Sequence, residues 1–243
     1  MPLLKDALKA VISLTPYRIV RAQRPVPRYQ AIPETLKLLK SFGYEPKVVI
    51  DGGANVGLFA KTAAQIFPDA DIHMIEPQPG CHPVLRTLEG GRFELHPVAL
   101  VSPEAAIDGY VTMESAEARS TGAHVSTLGR TRVAAATLDQ RLADRVGPDD
   151  RALLKMDLQG HELEALRGAE KLLPAIEVIL CEVTFIEFDQ TPRIAALMRF
   201  LDERGFGFFD IAALAGRGRD NRLAQGDFIF VNRRSPIAAD KSW

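Results

Sequence analysis

Three carboxylates stand where short apolar runs stop. Asp51 follows Val48-Val49-Ile50, Glu76 follows Ile72-His73-Met74-Ile75, and Asp157 follows Ala152 to Met156. A fourth, Glu182, lies near the end of the longer run Ile176 to Val183. Runs of this kind read as strands buried on both faces, and the carboxyl ends of such strands are where open α/β sheets hold ligands. Asp51 leads directly into Gly52-Gly53-Ala54-Asn55-Val56-Gly57 and then a helical pattern. A strand, a tight turn and a helix N-terminus in that order can cradle a nucleotide-like ligand. Glu76 arrives about 25 residues after Asp51, the separation at which an acid accepts hydrogen bonds from ribose hydroxyls.

The glycine spacing discriminates between ligands. A dinucleotide site wants Gly-x-Gly-x-x-Gly, with the middle glycine letting the backbone approach a pyrophosphate. Here the best alignment is Gly52-x-Ala54-x-x-Gly57. The methyl group of Ala54 crowds that approach, and Asp51 sets a carboxylate beside the diphosphate. A cationic ligand fits better, and S-adenosylmethionine carries both an ammonium and a sulfonium. In this reading Asp51 receives the ammonium, directly or through water. Backbone amides from Gly53 to Gly57 face the carboxylate, and Glu76 takes the ribose. The plainer alternative is that Gly53 and Gly57 only make a tight strand-to-helix turn.

Methyl transfer to a hydroxyl needs a group that accepts a proton. His161 sits in the turn before a helix starting at Glu162, where the helix N-terminus disfavours imidazolium and keeps the ring basic. Glu182 is the rival base. Asp157 can face the methionine end of the cofactor, hold the acceptor hydroxyl, ligate a cation or simply cap its turn. Asp157 and Glu182 on adjacent strand ends could share a divalent cation, although two carboxylates make a thin site and no metal-ligand set is assigned. Glu162, in a first helical turn, suits a structural role as well as a functional one. His124 lies in an irregular segment, while His73, His82 and His96 fall into no useful arrangement. Arg217, Arg219 and Arg222 read as a solvated basic loop.

The elements that must position these residues follow from periodicity. The chain has 243 residues and a formal net charge of −1, which lends no support to nucleic acid or acidic lipid as a partner. Its two cysteines, Cys81 and Cys181, make neither a disulfide framework nor a metal spacing, and a reducing, cytoplasmic location is expected. Lys5, Asp6 and Lys9 interrupt any leader-like apolar stretch, and no segment is apolar enough to span a membrane. Leu4, Leu8, Val11 and Ile12 predict a helix over residues 3–14, with a proline-bearing linker from Tyr17 to Pro33. Pro33 is expected to open a second helix that Gly43 closes. Strands at 48–51, 72–76, 93–100, 152–156, 176–183, 206–211 and 227–231 alternate with helices up to the last pair. That pair is joined by a turn-rich loop and can lie antiparallel. Residues 103–136 break the rhythm: Tyr110 to Met113 suggests an extra strand, and residues 114–129 read as an irregular lid or binding loop. Thr137-Leu138-Asp139-Gln140 reads as a capping box.

Five stretches resemble one family. Asp51 to Gly57 is similar to the Asp-x-Gly-Ala-Asn-x-Gly motif of FkbM-type methyltransferases. Glu76-Pro77-Gln78-Pro79 resembles the family's second motif, and Ala136-Thr137-Leu138-Asp139 its Thr-Leu-Asp element. Leu154 to Glu162 and Leu166-Arg167-Gly168-Ala169 resemble the Leu-Lys-Ile-Asp-x-Glu/Gln-Gly-x-Glu…Leu-x-Gly-Ala signature. Gln225 to Val231 resembles the last strand of one branch. The Asn-rich segment common in the family after the position of Leu88 is absent. The resemblance implies a Rossmann-like class I methyltransferase fold: a seven-stranded mixed sheet, its last strand antiparallel, with helices on both faces. An N-terminal helical extension (1–45), a methyltransferase domain (46–233) and a C-terminal tail (234–243) are the expected divisions. The resemblance implies S-adenosylmethionine as cofactor, held by Asp51, Gly52, Gly53, Ala54, Asn55, Gly57, Glu76 and Asp157. It also implies O-methylation of a sugar, glycan or polyketide-like metabolite; the reading of the residues above sets His161, Asp157 and Glu182 near the acceptor. A nicotinamide-dependent oxidoreductase and a non-catalytic binding protein on the same fold are the competing readings.

Overall fold

A computed structural model of the chain describes residues 28–115, 117, 119–186 and 194–239. The expected helix at 3–14, most of the linker after it and the helix start at Thr191-Pro192 lie outside those residues. In chain order the elements are α1 (Arg28–Ser41), β1 (Val48–Gly52), α2 (Leu58–Ile66), β2 (Asp71–Ile75), α3 (His82–Arg86) and β3 (Phe93–His96). Next come β4 (Ala99–Leu100), β5 (Tyr110–Glu114), β6 (His124–Val125), β7 (Thr131–Ala136), α4 (Leu138–Leu142) and β8 (Ala152–Met156). The last are α5 (Glu162–Arg167), β9 (Ile176–Thr184), α6 (Ile194–Glu203), β10 (Phe206–Gly216) and β11 (Leu223–Asn232).

Seven strands form one sheet in the order β10-β11-β9-β8-β1-β2-β3. Pairings from β9 through β8, β1 and β2 to β3 are parallel, and β11 runs antiparallel to both β9 and β10. The seven-stranded mixed sheet with an antiparallel last strand is as expected, and that strand, β11, lies between β9 and β10. The order reverses at β1, so the carboxyl ends of β1 and its neighbours open a crevice there.

Both faces of the sheet are covered, and the strand period of two sorts the residues between them. Val49 of β1 and Leu153 of β8 join Leu36 and Leu39 of α1, Ala60 and Ala63 of α2, Met74 and Ile229 in one core. Their neighbours Ile50 and Leu154 join Leu138, Leu142, Leu166, Leu197, Leu201 and Phe230 on the other side. Burial on two faces is why these strands read as continuous apolar runs.

Three expectations need correction. Pro33 does not open α1; the helix begins at Arg28 and carries Pro33 inside it. A proline close to the start removes a single ladder donor, and burial of Leu36 and Leu39 offsets that loss. The third strand is not continuous to Leu100. Pro97 has no N–H to give, so β3 ends at His96, and Ala99–Leu100 crosses to a second sheet ordered β4-β7-β5-β6. That second sheet lies within the stretch read as rhythmless. Its strand β7 is Thr-Arg-Val-Ala-Ala-Ala, whose alanines carry little β signal of their own. They are held by pairing with β4 and β5 and by packing with Ala99, Val101 and Met113. The capping box forms as expected: Thr137 Oγ1 accepts from the Gln140 N–H at 3.0 Å, and Gln140 Oε1 from the Thr137 N–H at 2.9 Å.

Candidate active site

A cavity of about 450 Å³ opens at the carboxyl ends of β1, β2 and β8. Gly53 to Val56, Glu76 to Gln78 and Lys155 to Gln159 form its floor and sides. Met113, residues 120–125 and His161 enclose it, and Gln225 and Asp227 of β11 reach it from beyond β9.

The turn after β1 is tied tightly to the end of β2. The N–H groups of Gly53 and Ala54 both donate to the Ile75 carbonyl, at 3.0 and 3.1 Å. Gly57 donates to the Ala54 carbonyl at 2.7 Å, and Asn55 donates to Glu76 Oε2 at 2.7 Å. The amides of Gly53, Ala54, Asn55 and Gly57, expected to face a ligand carboxylate, therefore already have internal acceptors. Gly53 has φ +75°, and a Cβ there would lie 2.1 Å from the Asp157 carbonyl oxygen. Only glycine lets β1's turn rest against the β8 turn this closely. Gly57, at φ +78°, faces Leu85 and Leu88 and serves helix packing; Gly52 lies within β1 against the Lys155 carbonyl. Neither lines the cavity, whereas Gly53, Ala54 and Asn55 do.

Asp51 stands behind the wall. It is fully buried, and its cross-strand neighbour on β8 is Lys155. Lys155 Nζ lies 3.1 Å from Asp51 Oδ1 and donates to the Gly52 and Gly53 carbonyls at 3.1 and 2.9 Å. Burial raises the Asp51 carboxyl above its ordinary range, with Lys155 pulling it back. Burial also presses the Lys155 ammonium down, but Asp51, Asp157 and Glu76 outweigh it and the net shift is upward. The result is a buried ion pair that holds the glycine turn by its carbonyls. This contact is made across strands from residues distant in sequence.

Glu76 is buried yet forms part of the cavity wall. Oε2 accepts from Asn55 and Oε1 accepts from the Gln78 N–H at 2.8 Å. Burial raises its pKa, and these two N–H groups oppose the rise. Gln78 is almost fully buried, and its Nε2 donates to the Ser120 carbonyl at 3.0 Å. Its Oε1 has no hydrogen-bond partner among the described residues. That oxygen is itself buried rather than presented to the cavity. Asn55 Nδ2 also reaches the Ser120 carbonyl, at 3.5 Å, so the irregular 119–125 segment is anchored over this end.

At the other end, Gln159 joins the two expected catalytic carboxylates. Its Nε2 donates to Asp157 Oδ1 at 2.7 Å and to Glu182 Oε2 at 2.9 Å. Gln225 Nε2 donates to Glu182 Oε1. An amide thus bridges the carboxylates where a shared cation was one expectation. Asp157 lines the cavity; Glu182 is buried one layer back and holds two glutamines that do. His161 lines the cavity at the N-cap of α5. Its pKa is lowered, first by burial and further by His124, against the pull of Glu164. Glu162 is structural: Oε1 accepts from the N–H groups of Leu158 (2.8 Å) and Gly160 (3.2 Å), closing the turn that carries Gln159 and His161.

Reading from the sequence missed Gln159, Gln225 and Asp227. Gln159 carries a faint signal, since it sits in a tight Leu-Gln-Gly turn and adopts φ +54°. Gln225 and Asp227 stand in the stretch that resembles the family's last strand, but reach the site through the insertion of β11 beside β9.

The comparisons agree with this architecture. A family model described as the methyltransferase FkbM domain matches residues 51–208. Among solved structures, an FkbM methyltransferase from Methylobacillus flagellatus KT is similar at 16% identity and a TM-score of 0.47, over 76% of this chain and 43% of that one. The chain therefore spans less than half the length of that relative. A magnesium protoporphyrin IX methyltransferase from Synechocystis PCC 6803, solved with bound SAH, is similar at 11% identity and a TM-score of 0.44, over 95% and 94% of the two chains. An O-methyltransferase family protein from Burkholderia thailandensis is similar at 12% identity and a TM-score of 0.45, over 94% of this chain and 59% of that one. No curated protein matches the chain.

Proposed function

This chain belongs to the FkbM methyltransferase family, and we propose that it uses S-adenosylmethionine to methylate a hydroxyl of a sugar, glycan or polyketide-like metabolite. One observation carries the reading: the buried Glu76 carboxylate is held on the cavity wall by two backbone N–H groups, beside Gln78. The donor set suits the cofactor. Acceptors line the nucleoside end, where ribose hydroxyls and an amino group need them. Glu76, Asp157 and Asp227 face a cavity whose lysine is already paired with Asp51, a balance that favours a sulfonium and disfavours a diphosphate.

Bound there, S-adenosylmethionine supplies a methyl group on a sulfonium with a neutral thioether as leaving group. Glu76 accepts from the ribose hydroxyls. Asp51 is a positioning residue that acts through Lys155 on the Gly52 and Gly53 carbonyls. Asp157 orients the acceptor side, and Glu182 positions it through Gln159 and Gln225. His161 takes the proton of the acceptor hydroxyl as the new oxygen–carbon bond forms. No divalent cation is required by this scheme. Among the described residues no helix is long and apolar enough to cross a membrane.

The test is a transfer assay with methyl-labelled S-adenosylmethionine and a panel of hydroxylated sugars, glycans and polyketides. His161-dependent label in one acceptor class supports the proposal. Label incorporated only into amine or carbon acceptors, or equally well by His161→Ala, contradicts it.

A further inference from the structure

Away from the cavity, at the β3 edge of the main sheet, three side chains converge that the methyl-transfer scheme does not use. His73 lies on β2, and Glu94 and His96 on β3; His73 and Glu94 are cross-strand neighbours in the parallel register. His73 Nδ1 is 3.1 Å from His96 Nε2. Glu94 Oε2 lies 3.7 Å from His73 Nδ1, and Oε1 lies 3.7 Å from His96 Nε2. All these atoms fall within 4.8 Å of one another. Tetrahedral bonds of ~2.0–2.1 Å place neighbouring ligand atoms about 3.3 Å apart, and the ring-to-ring distance of 3.1 Å and the 3.7 Å from each ring to its nearer Glu94 oxygen lie on either side of that value.

We propose that His73, Glu94 and His96 form a binding site for a divalent transition-metal ion of the zinc class, clipping β2 to β3. The ligand chemistry is suitable. Two imidazoles and one carboxylate, completed by water, are the donors such ions take. Both rings are almost fully buried, so few rotamers must be lost on binding, while the Glu94 side chain is 44% exposed and gives the ion its way in.

Charge around the triad is mixed. Arg145 holds Glu94 through two contacts of 2.8 and 2.5 Å, and both Arg145 and Arg141 disfavour added positive charge; Asp71 favours it. Arg145 is thus the competitor an incoming ion must displace from at least one Glu94 oxygen. That competition separates a metal site from a purely structural histidine pair. Removing the guanidinium frees the carboxylate, so it strengthens ion binding while weakening the existing ion pair.

The experiment uses the full chain stripped with chelator and titrated with Co²⁺, followed by visible d–d absorption, then displaced with Zn²⁺. The site predicts one ion per chain and a rise in Tm of about 5–10 °C at a hundredfold excess of Zn²⁺ over Kd. Glu94→Gln is expected to weaken binding roughly 10- to 100-fold, and Arg145→Gln to tighten it several-fold. Both changes are at partly exposed positions, so folding survives for the comparison; loss of binding in His96→Gln adds support. Absence of d–d bands at equimolar Co²⁺, or an affinity indifferent to both Glu94→Gln and Arg145→Gln, overturns the proposal and leaves a histidine–histidine hydrogen bond.

Discussion

Replacing Glu76 with Gln changes one oxygen to an NH₂ group and removes a charge. Both oxygens are engaged in the free protein, by Asn55 at 2.7 Å and by Gln78 at 2.8 Å. Whichever way the new amide turns, one backbone N–H faces another donor. A hydrogen bond to a charged group contributes about 1.5–3 kcal/mol, so folding stability falls by about that much. For a protein of this size the Tm drops by roughly 3–12 °C. The ligand loses a charged acceptor for its ribose hydroxyl on the same scale, which weakens the Kd for S-adenosylhomocysteine by about 10- to 150-fold. Calorimetric titration of the native protein and the variant, run well below both melting temperatures, reads the second effect apart from the first. An affinity within about twofold of native, with the Tm lowered as expected, would show that Glu76 holds its turn but touches no ligand, and would refute the ribose assignment.

Three further outcomes are expected. Gly53→Ala adds a Cβ 2.1 Å from the Asp157 carbonyl oxygen and should abolish cofactor binding, whereas Gly43→Ala, also at positive φ but with open space around it, should cost only about 1 kcal/mol; equal effects in urea melts and titrations would show that strain rather than close approach matters. His161→Ala should lower kcat by about 10²- to 10⁴-fold while leaving cofactor affinity nearly native, and the native kcat should fall only at pH below the ordinary histidine range, because the pKa of His161 is lowered; an unchanged kcat or acid limb removes His161 as base. Burial raises the Glu162 carboxyl from 4.5 to about 7, so the stability it contributes is fully present below the unfolded value and is lost as pH rises through 7, by roughly 3 kcal/mol. Glu162→Gln keeps an oxygen for Leu158 and Gly160, so it should flatten that loss and exceed native stability at about pH 8; parallel urea midpoints in both proteins across this window would contradict it.

Local signals carried much of this site. The β1 turn, the acid after β2 and the Leu154–Glu162 stretch each combine a strand end with turn chemistry inside a short window. They could be read without tertiary information, as could the capping box at Thr137. What stayed hidden depends on neighbours distant in the chain. That Asp51 pairs with Lys155 cannot be read locally, because the pairing is a property of β1 lying beside β8. That Gln159 and Gln225 hold Glu182 is likewise set by neighbours distant in the chain. The β4–β7 sheet was illegible because Thr131 to Ala136 is a strand by context and not by propensity. His73 and His96 show the same lesson, since two histidines with no sequence spacing to join them meet only when β2 and β3 pair.

The account turns on the acid-lined crevice beside the Gly53 turn accepting a sulfonium nucleoside and refusing a diphosphate. Paired isothermal titrations of the full chain, one with S-adenosylmethionine and one with NAD, address this without any knowledge of the acceptor. One equivalent of the sulfonium compound should bind with measurable heat, and NAD should give none. Saturation by NAD, with no heat from S-adenosylmethionine, would contradict it.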